Sequence, residues 1–362
     1  MRDLFRPTWA EIDLRALSFN LKKLKSILKK SRLMFVVKAN AYGHGIEAVS
    51  LYAQEKKLCD WLGVSSIEEG IFLREKGVEI PILVLGSVYP LKNFKAFFEY
   101  SLTPTVSSLL GAKELSKTAK SMGKEISCHI KIETGMNRVG VSRESFKSIM
   151  SFLEKNPYVK VEAAYSHFSS ADSDKDYSLK QIKLFEKITA PYKDKIKRHM
   201  ANSAGVLNFP QARLDMARCG WAAYGYLKGF KPVMSLKTKI VFIKTVKKGS
   251  FISYNKTYKA AKNMRVATLP VGYGDGYLRS FSNKGHVLIS GRKCKVIGNV
   301  TMDMIMADIS GLKKVSVGDE AVLMGKSLKE YLGPNDLALW GDTIGYEITT
   351  LIMSRVPRIY KK

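Results

Sequence analysis

Residues 33–45 read Leu-Met-Phe-Val-Val-Lys-Ala-Asn-Ala-Tyr-Gly-His-Gly, an apolar run that ends on a lysine and a glycine-containing turn. The apolar run predicts a buried strand, with Lys38 at its carboxyl end. Burying an ammonium group is unfavourable unless the group has a purpose. Desolvation lowers the pKa of a lysine and gives a nucleophilic amine, as a Schiff base requires. A strand-end lysine can also simply extend into water, so Lys38 alone leaves both interpretations open.

Length and composition favour a two-domain enzyme of the cytoplasm. The chain has 362 residues, and it lacks the run of about 18 apolar residues that a membrane span needs. Charged residues interrupt the N-terminal segment, so we expect no secretory signal. The four cysteines are far apart without a CxxC spacing, which favours reduced thiols over disulfides or a zinc site, and we expect no metal.

The formal net charge of +28 comes from 60 basic and 32 acidic residues. Such a charge attracts anions and could retain nucleic acid non-specifically. In residues 21–30, however, the apolar side chains recur at helical spacing, so the lysines form a solvated face. No nucleic-acid-binding motif accompanies the charge, so we expect no specific nucleic-acid partner. A basic nucleic-acid-binding protein is the non-enzyme alternative.

The first 225 or so residues alternate short apolar runs with amphipathic segments, which predicts a (β/α)₈ barrel. The predicted strands are Leu33–Val37, Trp61–Val64, Ile82–Leu85, Leu102–Val106, Ile126–Ile132, Val161–Ser166, Arg198–Met200 and Asp215–Cys219. An open doubly wound sheet is the second choice, because Gly43-His44-Gly45 does not continue as a dinucleotide-binding motif. Beyond residue 230, β-branched runs predict a mainly β domain, so the expected domains are 11–230 and 231–362 with 1–10.

Several candidate residues lie at or just after the carboxyl ends of the predicted barrel strands, where barrel active sites lie. The polar ones are Lys38, Lys131, Glu133, Arg138, His167, Asn202, Ser203 and Arg218, and Gly220-Trp221 offers its backbone. Each has an ordinary structural explanation when taken alone, but together they favour a site. A lysine amine, backbone N–H groups after Asn202-Ser203 and at Gly220-Trp221 for a phosphate, and a partner for a ring nitrogen together imply pyridoxal 5′-phosphate.

At this point the chain resembles the alanine racemases, the fold-type III pyridoxal-phosphate enzymes. The specific motif is Val37–Gly45, and the resemblance extends from Pro7–Asp13 to Arg355–Arg358, nearly the whole chain. It implies a barrel followed by a β domain, a head-to-tail homodimer, and interconversion of L- and D-alanine. It further implies a small amino acid as substrate and D-alanine for peptidoglycan as the product supplied.

The resemblance assigns the catalytic and cofactor-binding roles. Lys38 would be the covalent anchor of the cofactor and one of two acid/base groups. Tyr254 would be the other group, reaching the partner subunit's site. Arg218 would donate a hydrogen bond to the pyridine nitrogen, and His167 would flank the ring. Four residues would hold the phosphate: Tyr42, Ser203, Gly220 and Tyr346.

Substrate binding is assigned in the same way. Arg138 would hold the substrate carboxylate and the phenolic oxygen of the cofactor. Met302 would bind that carboxylate through its backbone N–H, and Tyr273 would line the access channel. Lys131 matches a position that many family members carry as a carbamate, which would place a negative charge beside Arg138.

Two residues depart from the family pattern. Asn255 replaces a usual glycine after the base tyrosine, and asparagine also tolerates a left-handed backbone. Thr301 replaces a frequent cysteine, which leaves a broad-specificity or serine/lysine racemase as the alternative. A decarboxylase of the same barrel type would need a cysteine where Thr301 stands, and is disfavoured.

Overall fold

The computed structural model describes residues 5–362 in two compact units. One unit comprises residues 18–41 and 46–223, and the other comprises residues 5–17, 42–45 and 224–362. The domain limits predicted from the sequence, 11–230 and 231–362 with 1–10, remain a prediction. Residues 1–4 of the second predicted domain lie outside the described part of the chain. None of the helices in residues 5–362 is both long and apolar enough to cross a bilayer.

The first of these units is a closed barrel of eight parallel strands. After β1 (Thr8–Asp13), which belongs to the other unit, the barrel strands are β2 (Arg32–Val36), β3 (Trp61–Val64), β4 (Ile82–Ser87), β5 (Thr103–Val106), β6 (Ile126–Lys131), β7 (Val159–Tyr165), β8 (Lys197–His199) and β9 (Met216–Cys219). Strand β9 pairs in parallel with β2, which closes the ring and excludes the open sheet. The predicted fold class is confirmed.

Helices connect the barrel strands. They are α1 (Leu14–Leu28), α2 (Ile46–Glu55), α3 (Ile67–Glu75), α4 (Phe94–Glu99), α5 (Leu109–Met122), α6 (Arg143–Leu153), α7 (Lys175–Thr189) and α8 (Ser203–Asn208). Their starts follow N-capping rules: the side chains of Ser66, Ser108 and Ser142 each accept a hydrogen bond from the first turn. In α1, Leu21 and Leu24 are fully buried, as the apolar spacing predicts.

The other unit is mainly β, as expected. Its further strands are β10 (Met234–Lys239), β11 (Phe242–Val246), β12 (Phe251–Ile252), β13 (Tyr258–Lys259), β14 (Met264–Leu269), β15 (His286–Ile289), β16 (Arg292–Lys295), β17 (Ile305–Asp308), β18 (Glu320–Ser327), β19 (Glu330–Leu332) and β20 (Arg358–Lys361). Its helices are α9 (Pro334–Gly341) and α10 (Gly345–Thr350). The largest sheet has the order β16-β15-β18-β10-β1-β20, with β19 attached to β18.

The β-branched run predicted over 302–309 is a strand only from residue 305 onward. The hydroxyl of Thr301 donates to the Met304 carbonyl at 2.8 Å and accepts from the Met304 N–H at 3.1 Å. These bonds close a turn over 301–304. A threonine hydroxyl can form the hydrogen bonds that nearby backbone groups would otherwise make to a neighbouring strand. The turn leaves Met302 exposed instead of within a strand.

Gly43 lies where a side chain cannot fit. Its φ is +84°, and a Cβ there would come within 1.9 Å of the Thr349 carbonyl oxygen in α10. Gly249 has nearly the same φ, +86°, but a Cβ there would have nothing within 4 Å. Gly43 is therefore required by close backbone approach as well as by its φ.

We predict that Gly43→Ala destabilises the protein more than Gly249→Ala does. The left-handed backbone should cost about 1–2 kcal/mol at either position. The steric overlap at Gly43 should add about 1–3 kcal/mol, because a backbone carbonyl must move. Urea and thermal unfolding of the two variants measure the difference. Equal losses would show that the approach of Thr349 does not constrain Gly43.

Candidate active site

Lys38 follows β2 and begins a turn of left-handed backbone. Residues Ala39, Asn40, Ala41 and Tyr42 have φ values of 53°, 52°, 54° and 53°. Non-glycine residues in this region cost about 1–2 kcal/mol each, so neighbouring contacts must hold the turn. Burial, and then the positive charge of Arg138, lower the pKa of Lys38. The amine is therefore closer to its neutral, nucleophilic form than that of an exposed lysine.

Glu69 in α3 holds the start of this turn. Its Oε1 accepts from the Ala39 N–H at 2.6 Å, and its Oε2 accepts from the Ser65 N–H at 2.7 Å. Its negative charge also opposes the lowering of the Lys38 pKa. Sequence reasoning missed Glu69, because an acidic residue in the first turn of a helix has an ordinary explanation there.

Lys131, at the end of β6, is buried in a cationic environment. Its side chain lies close to Arg138, Arg218 and Lys38, and only 7% of the residue is exposed. Burial, and then these positive charges, lower the pKa of Lys131 to about 8, against the opposing charge of Glu133. A substantial fraction of the amine is therefore neutral at slightly alkaline pH.

Arg218, in β9, is buried and held by acceptors on both of its terminal nitrogens. Nη1 donates to Nδ1 of His199 at 2.7 Å, and Nη2 donates to the carbonyls of Ser166 at 2.6 Å and Met200 at 3.1 Å. Nη2 also donates to Nδ1 of His167 at 3.1 Å. Burial lowers the pKa of Arg218 to about 10, which still leaves the guanidinium charged at neutral pH.

The Nε–H of Arg218 is the donor that suits a cofactor nitrogen. Within residues 5–362, all of the Arg218 hydrogen bonds use Nη1 or Nη2. The Nε–H group can therefore donate to a ligand, and an unprotonated ring nitrogen is an acceptor of the kind it needs. Burial, and then the charge of Arg218, hold the pKa of His167 well below its usual range, so its ring is neutral. These features fit the aromatic ring of pyridoxal phosphate.

Ser203 joins the ends of β8 and β9. Its Oγ accepts from the N–H groups of Gly220 at 3.2 Å and Ala222 at 3.1 Å. The Ser203 hydroxyl accepts these two hydrogen bonds and can still donate its own O–H, as binding a phosphate oxygen would require. Asn202 caps α8 by accepting from the Gly205 N–H at 2.9 Å, and Trp221 is buried beside this group. The N–H of Gly220 thus donates to Ser203, and the assignment of Gly220 to a phosphate stays a prediction.

In the other unit, the structure brings together Tyr42 and Tyr346. Their ring centroids are 6.0 Å apart, and Tyr42 also contacts Tyr224 at 5.0 Å. The carbonyl of Tyr42 accepts a hydrogen bond from Nδ1 of His44 at 3.0 Å. The rings of these two tyrosines therefore lie close together.

Tyr273 and Met302 are neighbours in paired loops of the same unit. The Tyr273 N–H donates to the Thr301 carbonyl, and the Gly274 N–H donates to the Met302 carbonyl, each at 3.0 Å. Both of these side chains are exposed. Gly272, directly before Tyr273, must be a glycine, because a Cβ there would come within 2.1 Å of the Thr301 carbonyl oxygen.

Tyr254 is attached to the same loops through Asn299. The Asn299 side chain donates to the Tyr254 carbonyl at 3.0 Å, and the Ser253 hydroxyl donates to the Asn299 carbonyl at 2.8 Å. The Tyr254 residue is 71% exposed. Asn255 has a φ of +60°, so asparagine adopts the left-handed backbone expected at this position.

Profiles of a known enzyme family match both parts of the chain. The family described as "Alanine racemase, N-terminal domain" matches residues 12–228, and "Alanine racemase, C-terminal domain" matches residues 233–360. An alanine racemase of Halothermothrix orenii is 40% identical over 371 residues, covering 98% of this chain and 97% of the relative. One of Symbiobacterium thermophilum is also 40% identical, covering 99% and 98% respectively.

Solved structures of the same enzymes share the fold. An alanine racemase of Clostridium difficile superposes with a TM-score of 0.92 at 35% identity, covering 99% of this chain and 97% of that chain. An alanine racemase of Bacillus anthracis with bound L-Ala-P has a TM-score of 0.91 at 32% identity, covering 99% and 96%. The chain therefore belongs to the alanine racemase family of isomerases.

Proposed function

We propose that this protein interconverts L- and D-alanine with pyridoxal phosphate, using Lys38 and Tyr254 as the two bases. The observation that carries the proposal is the group at the barrel rim: the Lys38 amine with its lowered pKa close to Arg138, and the buried Arg218 with its remaining Nε–H. Family membership supports alanine as the substrate and disfavours the broader-specificity alternative. D-Alanine made in the cytoplasm would then supply peptidoglycan.

Racemisation removes a proton from one face of Cα and returns a proton to the other face, so one base on each face is sufficient. Pyridoxal phosphate, when bound, withdraws electrons from Cα and makes its proton removable. We assign one face to the Lys38 amine, whose pKa is lowered by burial and by the charge of Arg138. We assign the other face to the phenol of Tyr254.

Tyr254 would act in the site of a second copy of the chain. Tyr254, Tyr273 and Met302 are all exposed, and hydrogen bonds through Asn299 and the Thr301 carbonyl connect the loops that carry them. In a head-to-tail homodimer, Tyr254 of the partner subunit would complete each site. Met302 would bind the substrate carboxylate through its backbone N–H, and Tyr273 would line the access channel.

Arg218 would favour racemisation over other amino-acid reactions. Its pKa of about 10 keeps the guanidinium charged, so it donates a hydrogen bond to the ring nitrogen without giving up its proton. By leaving that nitrogen unprotonated, Arg218 would limit how far charge is withdrawn from Cα. This role of Arg218 would favour return of a proton to Cα over transamination.

The remaining residues would position the cofactor and the substrate. Arg138 would bind the substrate carboxylate, and a carbamate on Lys131 would place a negative charge beside it. The hydroxyl group of Ser203 and the backbone at Gly220, which is already bonded to Ser203, would form one side of the phosphate site. The other residues we assign to the cofactor are Tyr42, His167, Asn202, Trp221 and Tyr346.

The two-base assignment predicts unequal effects in deuterium exchange. Lys38→Ala should reduce racemisation in both directions on the order of a thousandfold, because it removes a base and the cofactor's anchor. Tyr254→Phe should reduce exchange of the Cα proton about a hundredfold for one enantiomer and much less for the other. Mass spectrometry of pure L- or D-alanine incubated in D₂O measures each exchange separately.

Tyr258→Phe is the matched control for Tyr254→Phe. Tyr258 lies four residues further along the chain, at the start of β13, and among the described residues its hydroxyl makes a weak contact with the Met264 sulfur at 3.9 Å. Its loss should leave both exchange rates nearly unchanged. Equal, small losses for both enantiomers in Tyr254→Phe would contradict the assignment of Tyr254 as a base.

The pKa of Lys131 predicts carbamate formation. A neutral amine adds to carbon dioxide and releases one proton, giving an anion that the neighbouring Arg138 and Arg218 would stabilise. Because the pKa of Lys131 is about 8, the reactive amine increases as the pH rises through that value. Protein equilibrated with ¹³C-bicarbonate should show a carbamate ¹³C resonance that Lys131→Met removes. A resonance that persists in Lys131→Met would place the carbamate elsewhere.

A further inference from the structure

A line of three buried or half-buried side chains leads away from Arg218 through the barrel interior. Nδ1 of His199 in β8 lies 2.7 Å from Nη1 of Arg218. Nε2 of His199 lies 3.0 Å from Nδ1 of His129 in β6. Nε2 of His129 lies 3.9 Å from Oε2 of Glu162 in β7. Both histidines are completely buried.

The arginine end determines which nitrogens carry protons. A guanidinium group can only donate, so Nδ1 of His199 must be an acceptor. In a neutral imidazole the proton is then on Nε2, which must donate to Nδ1 of His129. The proton of His129 is in turn on its Nε2, facing Glu162. Burial and the charge of Arg218 keep both rings neutral: the pKa of His129 is lowered to about 3, and that of His199 is well below its usual range.

The glutamate end favours the same order through its charge. Oε2 of Glu162 lies 3.9 Å from Nε2 of His129, beyond hydrogen-bond distance, and among the described residues this nitrogen makes no hydrogen bond. A carboxylate nearby favours an N–H group over a lone pair on the nitrogen that faces it. Burial raises the pKa of Glu162, whereas the positive charges of Arg32 and Lys160 oppose that change. The direction of the two hydrogen bonds is therefore set by Arg218, and the charge of Glu162 is consistent with it.

Packing holds the two rings in register. The His199 ring stacks on Tyr165 with centroids 4.7 Å apart and planes 10° apart, and the His129 ring lies 5.2 Å from Trp61. The hydroxyl of Tyr165 is itself fixed by Thr105 at 2.9 Å. The rings cannot turn over without displacing this buried layer, so the hydrogen-bond direction is built into the barrel.

We propose that His129 is a positioning residue for Arg218, acting through His199, and that Glu162 orients His129 from the opposite side. The inference rests on the proposed function, because Arg218 is taken to face the ring nitrogen of the cofactor. Nδ1 of His129 accepts from Nε2 of His199, and Nδ1 of His199 accepts from Nη1 of Arg218. These two bonds fix the orientation of the guanidinium group, so its Nε–H keeps pointing towards the cofactor nitrogen. Cofactor chemistry would then depend on a residue that touches neither cofactor nor substrate.

Nitrogen NMR of the holoenzyme tests the hydrogen-bond direction without reference to activity. The chain has only five histidines, so ¹⁵N-histidine labelling gives a spectrum that single substitutions can assign. His129 and His199 should both be neutral with the proton on Nε2 between pH 6 and pH 9. A proton on Nδ1, or a doubly protonated ring, at either residue would overturn the proposal.

Two substitutions of His129 test its effect on Arg218. In His129→Asn, Oδ1 can accept from Nε2 of His199 in place of the lost Nδ1, whereas His129→Leu offers no acceptor. We expect His129→Leu to lower kcat about tenfold, with a small change in the KM for alanine, because Arg218 faces the cofactor and not the substrate. His129→Asn should restore kcat to within about threefold of the wild-type value.

The absorption spectrum of the bound cofactor provides a second readout. It should shift in His129→Leu and return towards the wild-type spectrum in His129→Asn. Equal losses in both variants, or none in either, would overturn the positioning role even if the wild-type protein racemises alanine. Failure of the wild-type protein to racemise any amino acid would instead overturn the proposed function, while the tautomers could still be as inferred.

Discussion

The guanidinium group of Arg218 imposes the strongest constraint on the barrel interior. A buried cation that can only donate must be surrounded by acceptors, and here they are backbone carbonyls and two neutral imidazoles. The carbonyls come from the ends of neighbouring strands, which is possible only because β7, β8 and β9 are adjacent in a closed barrel. The pKa values of His167 and His199 are lowered partly by the same charge.

The backbone of the turn after Lys38 is a second constraint on the structure. Four consecutive non-glycine residues have positive φ values directly after Lys38. Glu69 holds the Ala39 N–H, and the Ala41 N–H donates to the Val37 carbonyl at 2.7 Å, so the turn is fixed by its contacts. Strain that neighbouring contacts stabilise is typical of functional sites, where it fixes the direction of a side chain.

Much of the fold could be predicted from the sequence, because alternating apolar runs and amphipathic helices are strong local signals. All eight predicted barrel strands overlap the observed strands. Lys38 was predicted as a site residue because it follows such a strand, and Arg218 because it lies at the end of one. His129 and His199 were missed, since residues on both faces of a barrel strand are buried and a pattern of burial cannot show which side chains face inward. Glu69 was missed because an acidic residue in the first turn of a helix has an ordinary explanation there. The turn at Thr301 was not predicted, because the β-branched residues that follow it predict a strand starting at residue 302.

We infer that Arg218 stays protonated and donates to an unprotonated ring nitrogen of the cofactor, which would direct the chemistry towards racemisation. The ¹⁵N chemical shift of the ring nitrogen, in enzyme reconstituted with ¹⁵N-labelled pyridoxal phosphate, measures this directly. We expect the shift of a hydrogen-bonded but unprotonated pyridine at neutral pH. The shift of a pyridinium nitrogen would contradict the role of Arg218.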